Sequence, residues 1–83
     1  MTTNDIEILI AGDDDHEELT AEIFYKGKFV ALLSQDKGPD SLVLEFPDVS
    51  VDQTLISRSI DLGVFTRAIK LAQDRLISGK RAD

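Results

Sequence analysis

The side chains with the clearest capacity for chemistry lie together in the stretch Asp13-Asp14-Asp15-His16-Glu17-Glu18. Carboxylates and an imidazole are ligands for Zn²⁺ and Mn²⁺. The spacing does not match an EF-hand loop, which needs acids at alternate positions followed by a glycine and a distant glutamate. His16 is the only histidine and there is no cysteine, so carboxylates alone would have to complete a tetrahedral site. The pattern favours a solvated connection, with a divalent-metal module at Asp13–Glu18 as an alternative.

The other residue types used in catalysis lack suitable neighbours. No serine lies in a Gly-x-Ser-x-Gly elbow. Gly27, Gly38 and Gly63 are isolated, so the chain has no glycine-rich phosphate loop. A chain of 83 residues also has few walls with which to enclose a deep pocket. We therefore predict no enzymatic activity and no cofactor.

Length and composition predict one small ordered domain over residues 1–83, with flexible ends at about residues 1–4 and 80–83. A hydrophobic content of 42% suffices for a two-layer core. The absence of cysteine excludes disulfides and is compatible with the reducing cytoplasm, where we expect the protein to reside. No apolar run is long enough to span a membrane, and no charged-then-apolar leader opens the chain, so we expect no membrane partner.

The net charge of −7 is unevenly distributed. Residues 1–50 hold twelve acids against three lysines, whereas residues 51–83 hold four acids against six bases. An acidic balance argues against nucleic acid as a partner, because such binding depends on neutralising phosphates. It favours a basic protein partner reached by electrostatic steering, with plain solubility as the alternative reading.

The fold is organised around residues 19–34, which alternate as two strands meeting at Lys26-Gly27. Gly27 supplies the positive φ that a two-residue primed turn requires. This turn predicts that Tyr25 opposes Lys28 and Phe24 opposes Phe29. Continued without a break, the same register places Ile23 opposite Val30.

Further strands are predicted at Ile6–Ile10 and Ser41–Phe46, the second ended by Pro47. Residues 48–60 allow two readings. Ser50 and Gln53 have capping-box spacing for a short helix, while the alternation from Ile56 to Ile60 indicates a fifth strand, which we favour.

The C-terminal segment predicts a helix over Leu62–Ser78. Asp61 is a good N-cap, and Ile60 can pack against Phe65 at the fourth helical position. One apolar stripe follows at helical spacing, formed by Leu62, Phe65, Ala68, Ile69, Ala72 and Leu76. A single stripe of this kind needs a sheet to cover it.

Together these elements predict an α+β fold: an antiparallel sheet of four or five strands in meander order, with the C-terminal helix packed on one face. The residues expected under the helix are Ile6, Ile8, Ile10, Ala21, Ile23, Val30, Leu32, Leu42, Leu44 and Phe46. The opposite face would keep Leu9, Phe24, Phe29, Ala31, Leu33 and Val43 among Glu7, Glu22 and Glu45. An exposed apolar patch of this kind marks an interface, unless the register is shifted by one residue or a loop covers it.

The runs Glu22-Ile23-Phe24-Tyr25-Lys26-Gly27-Lys28-Phe29-Val30-Ala31, Leu44-Glu45-Phe46-Pro47 and Ile60-Asp61-Leu62 resemble small uncharacterised bacterial α+β domains of the toxin-immunity type. The resemblance implies an acidic cytoplasmic protein that binds and blocks a basic toxin. No binding motif accompanies these runs, so the resemblance assigns no functional residue.

The leading hypothesis is therefore a small non-enzymatic protein-binding domain. The expected contact residues belong to residues 13–18, which we call the acidic loop, and to the uncovered sheet face. They are Asp13, Asp14, Asp15, Glu17, Glu18, Glu22, Phe24, Phe29 and Leu33. A homodimer formed face to face through Phe24, Phe29 and Leu33 is the structural alternative.

Overall fold

The computed structural model describes residues 5–12, 14, 16–38, 40–48 and 50–78. Its elements are strands β1 (Ile6–Ala11), β2 (Thr20–Tyr25), β3 (Lys28–Ser34) and β4 (Val43–Glu45), and helix α1 (Leu62–Ser78). The strands form one antiparallel sheet in the order β1-β2-β3-β4, and α1 packs on β1 and β2. This confirms the predicted α+β meander with four strands. The segments predicted to be flexible, 1–4 and 80–83, lie outside the described residues.

The turn between β2 and β3 has the predicted conformation. Lys26 and Gly27 have φ angles of 52° and 80°, the two positive values that a type I′ turn requires. Tyr25 therefore opposes Lys28 and Phe24 opposes Phe29, as predicted. The Lys26 N–H also donates a hydrogen bond of 2.8 Å to the Asp5 carbonyl, which extends the pairing of β1 with β2.

A β-bulge follows the first pairs of this hairpin. The register shifts between Phe24 and Ile23, so that Ile23 opposes Ala31 instead of Val30. Val30 is the extra residue of this bulge. It changes the face of every later side chain in β3, because side chains alternate strictly along a strand. Ala31 and Leu33 therefore enter the core, with 0% and 4% exposure, whereas Leu32 turns to the other face. The predicted positions of these three residues were wrong for this one reason.

The core lies between the sheet and one stripe of α1. Its buried members are Ile8, Ala21, Ile23, Val30, Ala31, Leu33, Ala68, Ala72 and Leu76. The small side chains of Ala68 and Ala72 lie where the helix contacts the sheet. Among the larger core residues, complete burial of one leucine or isoleucine side chain stabilises the fold by about 1.5–3 kcal/mol. The bounds of the helix match the prediction, and the Asp61 Oδ2 atom accepts the Val64 N–H at 3.2 Å as an N-cap should.

The helix nevertheless buries a slightly different stripe from the predicted one. Val64 is buried, whereas Leu62 is 77% exposed. Phe65 and Ile69 are half-buried at the margin of the core. The inward stripe therefore runs through Val64, Ala68, Ala72 and Leu76 at intervals of four residues.

Among the described residues 46–48 and 50–60, the structure has neither the favoured fifth strand nor the α-helix of the alternative reading. β4 ends at Glu45, so the alternation does not continue to Phe46, which is 66% exposed instead of lying under the helix. Asp52 begins a short 3₁₀ turn over Gln53–Leu55, accepting the Thr54 N–H at 3.0 Å. The expected strand is reduced to one parallel bridge between Ile56 and Phe29.

Candidate functional site

The face of the sheet opposite α1 carries a mixed apolar and acidic surface, which we call the outer face. Its residues share this side because directly paired residues of an antiparallel sheet lie on one face. They are Glu7, Leu9, Glu22, Phe24, Phe29, Leu32, Val43 and Glu45. Since α1 packs on the other side, these side chains form the surface that the strands leave available for contact.

Two rows of side chains cross the outer face. The first contains Leu9, Glu22, Leu32 and Glu45, one residue from each strand. With strands about 4.8 Å apart, this row is about 14 Å long. Leucine and glutamate alternate along it, and Leu9 is 44% exposed.

The second row contains Glu7, Phe24 and Phe29. The two aromatic rings meet edge to face, with centroids 5.6 Å apart and planes inclined by 66°. Such a pair stabilises its own geometry by about 0.5–1.5 kcal/mol beyond the area it buries. Both rings are only half-buried, so they offer a preformed aromatic surface.

Beyond the first row, the outer face becomes polar and closed. Thr20 and Ser34 are both buried, and the Thr20 hydroxyl donates to the Ala11 carbonyl at 3.2 Å. His16 lies over this end, with its Nε2 atom 2.9 Å from Glu45 Oε2. Because a carboxylate only accepts hydrogen bonds, Nε2 carries the proton in this contact.

The same contact sets the electrostatics of Glu45. Hydrogen bonds from the His16 ring, and secondly from the Ser34 hydroxyl, hold the pKa of the Glu45 carboxyl below its ordinary value, because they stabilise the charged form. Partial desolvation opposes this lowering. The Glu45 side chain is 45% exposed, so its charge remains accessible at the edge of the outer face.

The acidic loop lies against the connection between β3 and β4. Asp36 Oδ1 accepts the backbone N–H groups of Glu17 and Glu18 at 3.2 and 3.0 Å. The side chains of Asp14, Glu17 and Glu18 are exposed, whereas Asp13 and Asp15 lie outside the described residues. Within 5–12, 14, 16–38, 40–48 and 50–78, no three acidic or histidine side chains come close enough to hold a metal ion.

The predicted site residues fall into separate groups. Glu22, Phe24 and Phe29 lie together on the outer face, as expected. Leu33 does not join them, because the bulge directs it into the core, and the expectation that it contacts a partner is withdrawn. Asp14, Glu17 and Glu18 lie before the first residue of β2, in the loop that carries His16.

Sequence reasoning missed two contributors to this surface. Leu32 lies on the outer face, where Ala31 and Leu33 were expected. No local signal identifies the bulge, because Val30-Ala31-Leu32-Leu33 is apolar in either register. The contact between His16 and Glu45 joins residues 29 positions apart, a separation that no local pattern reveals.

Searches against protein-family models, curated proteins and solved structures find no match for this chain. Among the described residues, no helix has the length and apolar character needed to cross a membrane. The function must therefore be inferred from the surface itself.

Proposed function

We propose that this protein is a small non-enzymatic binding domain whose outer face docks a basic protein partner. The observation that carries the proposal is the row Leu9, Glu22, Leu32 and Glu45, which alternates apolar and acidic side chains across all four strands. Apolar side chains supply the contact area from which water is expelled, and carboxylates select the charge of the partner. The Phe24–Phe29 pair extends the contact area beside this row.

The charge of the surface supports a basic partner over a second copy of the same chain. Each outer face carries Glu7, Glu22 and Glu45. Two such faces brought together would desolvate carboxylates of both copies against each other, which is costly without compensating cations. Lysine and arginine side chains of a partner would instead pair with them. The acidic loop beside the face adds to the field that steers such a partner.

The resemblance to toxin-immunity domains gives this proposal its specific form. A basic toxin bound by the outer face would be blocked as long as the complex persists. The absence of cysteine is compatible with such a complex in the reducing cytoplasm. In this role the protein occludes a surface of its target and performs no reaction.

A capture experiment with two charge-reversed variants tests the proposal. Wild type, Glu22→Lys and Asp74→Lys are immobilised and exposed to lysate of the source cell at about 0.15 M salt with polylysine as competitor. Asp74 is the matched control, since it lies on α1 with its side chain 65% exposed and the substitution changes the net charge identically.

We expect a basic protein that is retained by wild type and Asp74→Lys and lost from Glu22→Lys. Equal retention on Glu22→Lys and wild type would contradict the assignment of the outer face. Absence of any specific partner on wild type would contradict the binding function itself. Sedimentation at micromolar concentration tests the alternative of a homodimer. That alternative predicts a dimer in wild type and a monomer in Phe29→Glu.

A further inference from the structure

The turn end of the sheet borders a cavity of about 360 Å³ between the β2–β3 turn and residues 53–59. This is the opposite end of β2 from the acidic loop. Lys26, Lys28 and Arg58 line the cavity together with the hydroxyl-bearing Ser57 and Ser59, and none of its described lining residues is acidic. The chain has sixteen acids and only nine lysines and arginines, and three of those nine line this one cavity.

The three cationic side chains of the cavity form no ion pair with the described acidic residues. Among ion pairs between described residues, one joins His16 to Glu45 and another joins Lys70 to Asp74, and none involves these three side chains. Arg58 is held by a neutral group instead, since its Nη1 donates to Gln53 Oε1 at 2.7 Å. The Gln53 amide is itself anchored, because its Nε2 donates to the Val51 carbonyl at 2.9 Å. The guanidinium is thus oriented without losing its net charge.

The backbone fixes the two walls of the cavity relative to each other. The Ser57 N–H donates to the Phe29 carbonyl at 2.9 Å, which ties residues 56–57 to β3 one residue beyond Lys28. The opposite wall is the type I′ turn. These backbone contacts place Lys28 and Arg58 on facing walls of the same cavity.

Lys26 occupies a position that its side chain does not favour. Its φ of 52° lies in the left-handed region, where asparagine, aspartate or glycine is preferred. A residue that departs from the local preference is expected where its side chain serves another purpose. The ammonium of Lys26 lies 5.2 Å from the centroid of the Tyr25 ring, at the rim of the cavity.

From these observations we infer that the cavity binds a phosphate group, as a free ion or as an ester of a small molecule. Arginine presents paired N–H donors that match phosphate oxygens, and lysines supply point charges around the same anion. The Ser59 hydroxyl lines the same space as an additional donor, whereas the Ser57 hydroxyl already donates to the Ser59 carbonyl at 2.8 Å. The volume falls within the range of small-molecule sites, so an organic substituent has room beside Tyr25 and Ile56. This inference is independent of the outer face and of its partner.

Amide NMR of the full ¹⁵N-labelled chain tests the inference with phenyl phosphate, inorganic phosphate and benzoate, at constant ionic strength. We expect saturable shifts for Gly27, Lys28 and Ser57 with both phosphate compounds and weaker effects with benzoate. Tighter binding of phenyl phosphate identifies an organic phosphate ester as the ligand class, and equal binding identifies free phosphate. Both results support a phosphate site.

Two cavity variants and one control complete the test. Lys28→Gln and Arg58→Gln should each weaken phosphate binding roughly tenfold, the size expected for loss of one charge-assisted contact. Lys70→Gln removes an equal charge from the exposed surface of α1 and should leave the affinity unchanged. Shifts that fail to saturate, or equal weakening by Lys70→Gln, would overturn the site. The dispersion of each amide spectrum shows whether the variant is folded.

Discussion

The bulge at Val30 determines which leucine of β3 belongs to the core, and two matched substitutions test it. Leu33 is 4% exposed and lies among the buried residues under α1, whereas its neighbour Leu32 is half-buried on the outer face. Leu33→Ala removes buried carbons and leaves a cavity that a packed core fills only in part. We expect a loss of about 2.5–5 kcal/mol in the free energy of unfolding.

Leu32→Ala removes the same atoms from a surface open to water on one side, so no closed cavity forms. Its expected cost is about 1 kcal/mol or less, which leaves a difference between the variants of about 1.5 kcal/mol or more. A domain of 83 residues has a total stability of about 4–12 kcal/mol, so Leu33→Ala should be severely destabilised.

Urea unfolding followed by circular dichroism measures both free energies on one scale. If Leu32→Ala proved as costly as Leu33→Ala, or costlier, β3 would continue in regular alternation from the turn. The outer face would then contain Ala31 and Leu33, and the row that carries the proposed function would not exist.

Three further substitutions test other parts of the structure. Asp61→Ala should lower the free energy of unfolding by about 1 kcal/mol, because the Val64 N–H loses its cap, and urea unfolding beside Asp74→Ala as an uncapped surface control would detect it. Lys26→Asn should raise the melting temperature by relieving the positive φ while weakening phosphate binding, and a lower melting temperature would contradict the turn assignment. Because the pKa of Glu45 is lowered in the folded state, its ionised carboxyl contributes to the free energy of unfolding. This contribution is fully present above the ordinary pKa of 4.5 and is lost as the pH falls through the folded-state pKa. Wild type should therefore lose more stability than Glu45→Gln between about pH 6 and about pH 3. An equal loss in both proteins would show that the contact with His16 does not stabilise the fold.

The parts of the fold that sequence predicts well are those set by short-range geometry. A two-residue turn fixes the pairs next to it, so Tyr25–Lys28 and Phe24–Phe29 were correct. Asp61 and the helical spacing after it likewise defined α1 to its observed bounds. Both signals lie within a few residues of the structure they determine.

The errors arise where two arrangements suit the same residues. The run Val30–Leu33 is apolar throughout, so alternation cannot reveal an inserted residue, and the bulge becomes evident only from packing against the helix. Ile56 satisfies one bridge of a strand that its neighbours do not continue. Because the bulge was not predicted, Leu33 was wrongly placed on the outer face. The placement of Glu22, Phe24 and Phe29 together on one face was correct.

The cavity at the turn end was also beyond local pattern. Lys26 and Lys28 are separated from Arg58 by about thirty residues of chain, and the bridge between Phe29 and Ile56 brings these segments together. In the sequence, the charge asymmetry lies between residues 1–50, which are acidic, and residues 51–83, which are slightly basic. In the fold it becomes a separation between the acidic loop at one end of β2 and a cationic cavity at the other.

Methyl cross-saturation from the captured partner to the isotope-labelled protein would show whether the outer face is the binding surface. Leu9, Leu32 and Val43 carry the reporting methyl groups, and Leu71 and Ile77 are exposed controls on α1. We expect attenuation of the outer-face methyl signals with the α1 signals unchanged. Attenuation at Leu71 and Ile77 with none at Leu9 and Leu32 would place the partner on the helix and contradict the claim.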